Sequence, residues 1–204
     1  MYEVEVKVRA DLDAVRARLS EIEVTHIRRV RQVDTYYDAP HRDFAETDEA
    51  LRIRRETVET DAEADADDST GTNDAGGDTE TKVTYKGPLV EAESKTREEF
   101  ETAVADGDAA EGILDGLGFP PAATVEKDRE FFELDGYTVT LDDVAGVGEF
   151  VEVEREAAEV DIESTREGAY AVLRELGLDP DDQTRTSYLG LLFGSQDLPN
   201  DSPE

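Results

Sequence analysis

Polar and apolar residues alternate without a break from Tyr2 to Arg9, so that Glu3, Glu5, Lys7 and Arg9 share one face of a strand while Val4, Val6 and Val8 share the other. The pattern returns in residues 149–156, E-F-V-E-V-E-R-E, where Glu152 and Glu154 again flank a valine. Runs rich in β-branched and aromatic residues predict further strands over residues 25–37, 50–57, 81–87, 94–102, 124–134 and 137–143, with the last repeat occupying 147–156. A helical period takes over elsewhere. Leu12, Val15, Leu19 and Ile22 follow a capping Asp11, and Ala110, Ile113, Leu114 and Leu117 precede Gly118. Two more helices are expected, over 164–176 ending at Gly177 and over 184–193.

Eight strands with no long helical crossover after each disfavour a parallel sheet, and eight are enough to close on themselves and remove exposed edges. The expected fold is α+β: an eight-stranded antiparallel β-barrel with helices packed on its outer face. Residues 58–80 carry neither pattern. Apart from Val58 and Asn73 they are Asp, Glu, Ala, Thr, Gly and Ser without an aromatic or a basic residue, too polar to offset the entropy of ordering, and are expected to be a disordered acidic loop insertion in a hairpin. One domain is therefore expected over 1–193, followed by a flexible tail at 194–204.

Composition narrows the chemistry. There is no cysteine, and His26 and His41 are the only histidines, so thiolate sites are excluded and a zinc site or histidine triad lacks its parts. A metal here would be held by oxygen, as Mg²⁺, Mn²⁺ or Ca²⁺ are. No apolar run reaches membrane-spanning length and the chain enters a strand directly, so a cytoplasmic protein with no membrane partner is expected. A formal net charge of −32 argues against nucleic acid as a partner and fits a halophilic source, where salt screens the repulsion. Only five lysines exist, Lys7, Lys82, Lys86, Lys95 and Lys127, and all five fall in predicted strands.

The strands' same-parity faces then become informative. They carry Glu3, Glu5 and Lys7; Gln32, Asp34 and Tyr36; Arg52 and Arg54; Lys82, Thr84 and Lys86; Lys95, Arg97 and Glu99; Lys127 and Arg129; Thr140 and Asp142; Glu152 and Glu154. The opposite faces carry valine, leucine, isoleucine and tyrosine. One reading is a sandwich whose charged faces are merely solvated. The other turns the apolar faces outward against the helices and the ionisable faces inward, which suits a wet cavity whose occupant is itself highly charged. Arginine and lysine from several strands suit a polyanion, and carboxylates on the first and last strands suit a divalent cation bound to it.

The motifs E-V-E-V-K at Glu3 to Lys7, D-T-Y-Y at Asp34 to Tyr37, L-R-I-R at Leu51 to Arg54, T-Y-K-G-P at Thr84 to Pro88, E-K-D-R at Glu126 to Arg129 and E-F-V-E-V-E at Glu149 to Glu154 occur in this order. Together they resemble the CYTH superfamily of triphosphate tunnel metalloenzymes. The segment D-F-A-E-T-D-E-A-L-R-I-R and the closing S-Y-L-G-L-L are most similar to its CyaB branch, the class IV adenylyl cyclases and their archaeal relatives. The resemblance implies an eight-stranded antiparallel β-barrel tunnel, metal-dependent chemistry on a triphosphate, with Mg²⁺ or Mn²⁺, and often a homodimer. It assigns Glu3, Glu5, Glu152 and Glu154 to the metal, with Asp142 a further candidate. Lys7, Arg52, Arg54, Lys86, Arg97, Lys127 and Arg129 would contact phosphate and stabilise charge. A cyclase making cyclic AMP and pyrophosphate from ATP is the first expectation. A hydrolase for thiamine triphosphate, inorganic triphosphate or a nucleoside triphosphate is the alternative, and a non-catalytic polyphosphate-binding module the third.

Overall fold

In the computed structural model, which describes residues 2–59, 78–90 and 93–196, eight strands close into a barrel. They are β1 (Tyr2–Arg9), β2 (Thr25–Tyr37), β3 (Ala50–Val58), β4 (Thr79–Lys86), β5 (Arg97–Val104), β6 (Pro121–Leu134), β7 (Tyr137–Val144) and β8 (Gly148–Ala157). Their order around the barrel is β1-β5-β4-β3-β2-β6-β7-β8, and every pairing is antiparallel. Helix α1 (Leu12–Leu19) follows β1, α2 (Phe44–Thr47) precedes β3, α3 (Gly107–Gly116) precedes β6, and α4 (Ile162–Glu175) and α5 (Tyr188–Gln196) follow β8.

Local chemistry sets several of these boundaries. The Asp11 side chain accepts hydrogen bonds from the N–H groups of Asp13 and Ala14, capping α1 as its position predicts. Asp135 and Gly136 both have positive φ, 53° and 75°, the two-residue turn whose twist suits the β6–β7 hairpin. At Gly168 of α4 a Cβ would lie 1.9 Å from the Tyr137 hydroxyl, so the helix approaches the barrel only because the residue is glycine.

The outward apolar faces of β1, β7 and β8 bury Val6, Val8, Val139, Leu141, Val151 and Val153 against Leu12, Val15 and Leu19 of α1 and Ala169, Val172 and Leu173 of α4. At about 0.8 kcal/mol per buried methylene this layer is a main source of the driving force for closing that half of the barrel. Helix α3 covers β3 differently, through ion pairs from Arg55 to Asp108 (2.8 Å) and Glu111 (2.5 Å), and leaves Ile113 exposed. A second cluster lies inside: Val125, Val144 and Phe150 share the inward parity of the charged residues and meet Tyr36 and Tyr188. They plug one end of the barrel beneath α5.

The β1–β5 seam is short. Only Tyr2↔Glu98 and Glu3↔Arg97 pair across it. Beyond them two connecting segments fill the gap: the Lys95 N–H donates to the Glu5 carbonyl (3.1 Å) and the Thr184 N–H to the Lys7 carbonyl (2.8 Å).

Several expectations need correction. Lys95 is not in a strand: β5 begins at Arg97, and Ser94 and Thr96 bond each other's hydroxyls in the preceding loop. Helix α2 was not anticipated from the turn-like sequence around it. Val58, Thr79 and Glu80 belong to β3 and β4 rather than to the acidic insertion, whose residues 60–77 lie outside the described residues. Helix α5 starts at Tyr188 rather than Thr184 and runs through Gln196, into the expected tail; residues 197–204 lie outside the described residues.

Candidate active site

Inward alternation brings eleven of the expected site residues to one cavity, about 220 Å³, inside the barrel: Glu3, Glu5, Lys7, Arg52, Arg54, Lys86, Arg97, Lys127, Arg129, Glu152 and Glu154. Register decides their neighbours. Glu5 pairs with Glu154 and Lys7 with Glu152 across β1 and β8, so period two stacks three carboxylates on one wall. One oxygen from each of Glu5, Glu152 and Glu154 lies within 4.8 Å of the others. Lys7 Nζ stands 3.7 Å from Glu5 and 3.5 Å from Glu152, and the buried Glu5 Oε1 accepts no hydrogen bond among the described residues.

An unsatisfied carboxylate oxygen within an all-oxygen group fits a hard divalent cation, and Mg²⁺ or Mn²⁺ matches that donor chemistry. Electrostatics agree. Burial pushes Glu154 up to about 8, helped by Glu3 and Glu152 and opposed by Arg129. Burial also opposes ionisation of Glu152, but Arg129, Lys7 and Lys127 outweigh it and hold that carboxyl well below its usual range. The wall thus presents carboxylates in excess of the cations that face them.

The facing wall inverts the arrangement. Asp34 on β2 accepts two hydrogen bonds of 2.7 Å from Arg54, with Arg52 at 3.5 Å and Lys127 at 3.8 Å. Burial resists its charge, yet Arg54 and Arg52 keep it ionised far below the ordinary range. Burial followed by the neighbouring Arg129 and Arg54 lowers Lys127 to about 7. Between the walls, Lys86 bridges Glu3 (2.8 Å) and Glu99 (2.5 Å). Arg97 is held at the rim, donating to the Asp48 carboxylate (2.6 Å) and carbonyl (2.5 Å).

Asp142 stands apart from the three-carboxylate group. It is fully buried, receives Arg129 at both oxygens, and accepts the Tyr188 hydroxyl at 2.6 Å. In this geometry it orients Arg129, which also donates to Glu152. Sequence reasoning gave no role to Tyr188, whose apolar S-Y-L-G-L-L context reads as core. The structure puts its ring beneath Lys7 Nζ, 4.1 Å from the centroid, and Lys127 Nζ, 5.0 Å away. Lys95 also lines the tunnel, lowered to about 8 by burial and by Lys7. It is one of only five lysines, and it stands in the loop before β5 rather than in a strand.

Such a site can grip a polyanion along one wall and a cation along the other while the plug closes one end. Comparison with known proteins agrees with the geometry. A Methanocaldococcus jannaschii protein named as a putative adenylate cyclase is 34% identical over 193 residues, covering 94% of this chain and 98% of that one. A Pyrococcus horikoshii structure aligns over 94% of this chain and 98% of its own with a TM-score of 0.80 and 37% identity. A Hippeastrum protein, whose structure is described as revealing a dominant triphosphatase activity, shares the fold at a TM-score of 0.60 and 18% identity, over 97% of each chain. Residues 1–188 match the CYTH domain, and the chain belongs to that family.

Proposed function

We propose that the chain is a divalent-metal-dependent enzyme of the CyaB branch that takes ATP into its tunnel and releases cyclic AMP and pyrophosphate. The observation that carries this reading is the pair of opposed walls, three carboxylates facing Arg52, Arg54 and Lys127 across one enclosed cavity. A strand module that only bound polyphosphate would need the basic wall alone. The 34% identical relative named as a putative adenylate cyclase supports the choice of ATP.

Glu5, Glu152 and Glu154 would hold Mg²⁺ or Mn²⁺. When bound, the ion neutralises phosphoryl oxygens and makes the phosphorus more electrophilic. The chain's own groups do the rest. Arg52, Arg54 and Lys127 bind and align the phosphates, and Lys7 and Arg129 sit beside the carboxylates where charge builds on the departing pyrophosphate. The ribose 3′ hydroxyl gives up its proton to water, its oxygen bonds to the α-phosphorus, and the bond from that phosphorus to the oxygen shared with the β-phosphate breaks, so that this oxygen leaves with pyrophosphate.

The test is product analysis. The protein is incubated at high salt with Mg²⁺ or Mn²⁺ and with ATP, thiamine triphosphate or inorganic triphosphate. Cyclic AMP with pyrophosphate is expected from ATP. Orthophosphate as the only product would replace this reading with a tunnel hydrolase, and tight binding without turnover would replace it with a binding module.

A further inference from the structure

Tyr188 opens α5, is buried, and meets the tunnel through two different parts of its side chain. The ring lies beneath Lys7 Nζ and Lys127 Nζ, 4.1 Å and 5.0 Å from its centroid. These amines come from opposite walls, Lys7 on β1 beside Glu5 and Glu152 and Lys127 on β6 beside Asp34. A ring face carries partial negative charge, so it attracts both ammonium groups yet brings no net charge to compete with a phosphate. Phe150 of the plug packs edge-to-face on the same ring at 5.2 Å, so the plug sets the plane that the amines meet.

The hydroxyl acts on another set of groups. It donates to the fully buried Asp142 at 2.6 Å. Both Asp142 oxygens also receive Arg129, and the Arg129 Nη2 that reaches Asp142 donates to Glu152 as well. Burial and the Asp142 and Glu152 carboxylates push the Tyr188 hydroxyl well above its ordinary value, so it stays a donor. A carboxylate gripped by two fixed donors has one orientation, and the guanidinium fork inherits it. We propose that Tyr188 is a positioning residue for phosphoryl transfer: its ring holds the Lys7 and Lys127 ammonium groups as a pair, and its hydroxyl locks the Asp142–Arg129 fork against Glu152. The proposal rests on the tunnel reading above and extends it from the residues that touch phosphate to one on α5 that sets where they stand. A tyrosine that merely filled the core would need neither its hydroxyl nor the amines over its face.

Two substitutions take the parts away separately. Tyr188→Phe keeps the ring and removes the hydroxyl, and Tyr188→Leu removes both. Binding of inorganic triphosphate is measured by calorimetry with Ca²⁺, and kcat and KM are measured with Mg²⁺ on ATP and on inorganic triphosphate. Tyr188→Phe is expected to bind triphosphate within about twofold of the parent and to lose about tenfold in kcat, because Arg129 keeps its charge and loses its orientation. Tyr188→Leu is expected to lose at least about tenfold in triphosphate affinity as well, because the two amines lose the surface that pairs them. Phe150→Leu loosens the same plug without facing either amine, and is expected to lower the melting temperature while kcat and affinity stay at parent values. Parent kcat in Tyr188→Phe, parent affinity in Tyr188→Leu, or the same kinetic losses in Phe150→Leu would overturn the positioning role. Phenylalanine fills the space of tyrosine, so the Tyr188→Phe result stands whether or not the leucine variant folds. If the unaltered protein binds triphosphate and makes no cyclic AMP, the proposed reaction fails, while the affinity of Tyr188→Leu still decides the role of the ring. Failure of the unaltered protein to bind triphosphate would overturn both readings.

Discussion

The two walls of the tunnel solve the same problem with opposite signs. On β2, β3 and β6 the Asp34 carboxylate is set among Arg52, Arg54 and Lys127. On β1 and β8 a single ammonium, Lys7, is set between Glu5 and Glu152 with Glu154 beside them. Each wall holds some counter-charge, Asp34 on the basic side and Lys7 with Arg129 on the acidic side, and leaves an excess that a ligand can meet. A buried charge without a partner costs several kcal/mol, so the excess is tolerated where water or an occupant reaches it. The difference lies in how each wall responds. The basic wall keeps Arg52 and Arg54 charged at any accessible pH while its crowding lowers Lys127, whereas the acidic wall relieves its crowding by holding a proton near Glu154.

The largest effect should come from removing the basic wall's counter-charge. Asp34→Ala leaves the Arg52 and Arg54 guanidinium groups facing each other without their shared carboxylate and is expected to cost about 3–5 kcal/mol in denaturant unfolding, with much of the loss restored by inorganic triphosphate. If the variant unfolds like the parent, Asp34 is not the group that holds that wall together.

The acidic wall should behave in the other direction. Glu154→Gln is expected to lower metal-dependent turnover at least about 100-fold while the empty protein remains folded. Its pH dependence carries a sign. Glu154 ionises near 8 when folded, against an ordinary 4.5, so the folded state holds the proton through that interval. The stability this provides is complete below 4.5 and is lost as pH rises through about 8. Thermal melts of the empty parent should therefore fall across that window, and those of Glu154→Gln should fall less. Parallel curves would show that the acidic wall is not protonated as described.

A smaller signal should mark the filling of the basic wall. Lys127 near 7 and Lys95 near 8 are largely neutral in the empty tunnel at pH 8.5. A polyanion favours their charged forms, so binding at that pH should draw protons from solution. Calorimetric titrations in two buffers of different ionisation enthalpy measure the number taken up. A value of zero would mean that these amines carry their charge before the ligand arrives.

Much of this was legible because a strand has period two. Glu3, Glu5 and Lys7, or Arg52 and Arg54, announce a shared face from sequence alone, and closure then points those faces at one another. Parity says nothing about position along the barrel axis. Val125, Val144 and Phe150 share the charged residues' inward parity yet form a plug, and only the register among β6, β7 and β8 groups them. Lys95 was misplaced for a related reason: S-K-T-R-E-E-F continues the alternation, but bonds from Ser94 and from the Lys95 N–H bend the chain off the ladder. Tyr188 was hidden because a tyrosine in an apolar helix looks the same whether it faces a core or a row of ammonium groups. Asp142 looked like its acidic neighbours and differs from them only through Arg129 and Tyr188, partners distant in sequence.

The short β1–β5 seam makes the barrel a ring with a clasp. Two residue pairs join β1 to β5, against eight joining β1 to β8. Local opening is cheapest where the fewest backbone bonds must break, so amide exchange should be fastest beside this clasp. Glu3 and Glu5 lie on one side of it and Lys95 and Arg97 on the other. A metal-bound polyanion gripping both sides would add a link across the weakest joint, and the barrel's bore would be set partly by what it contains.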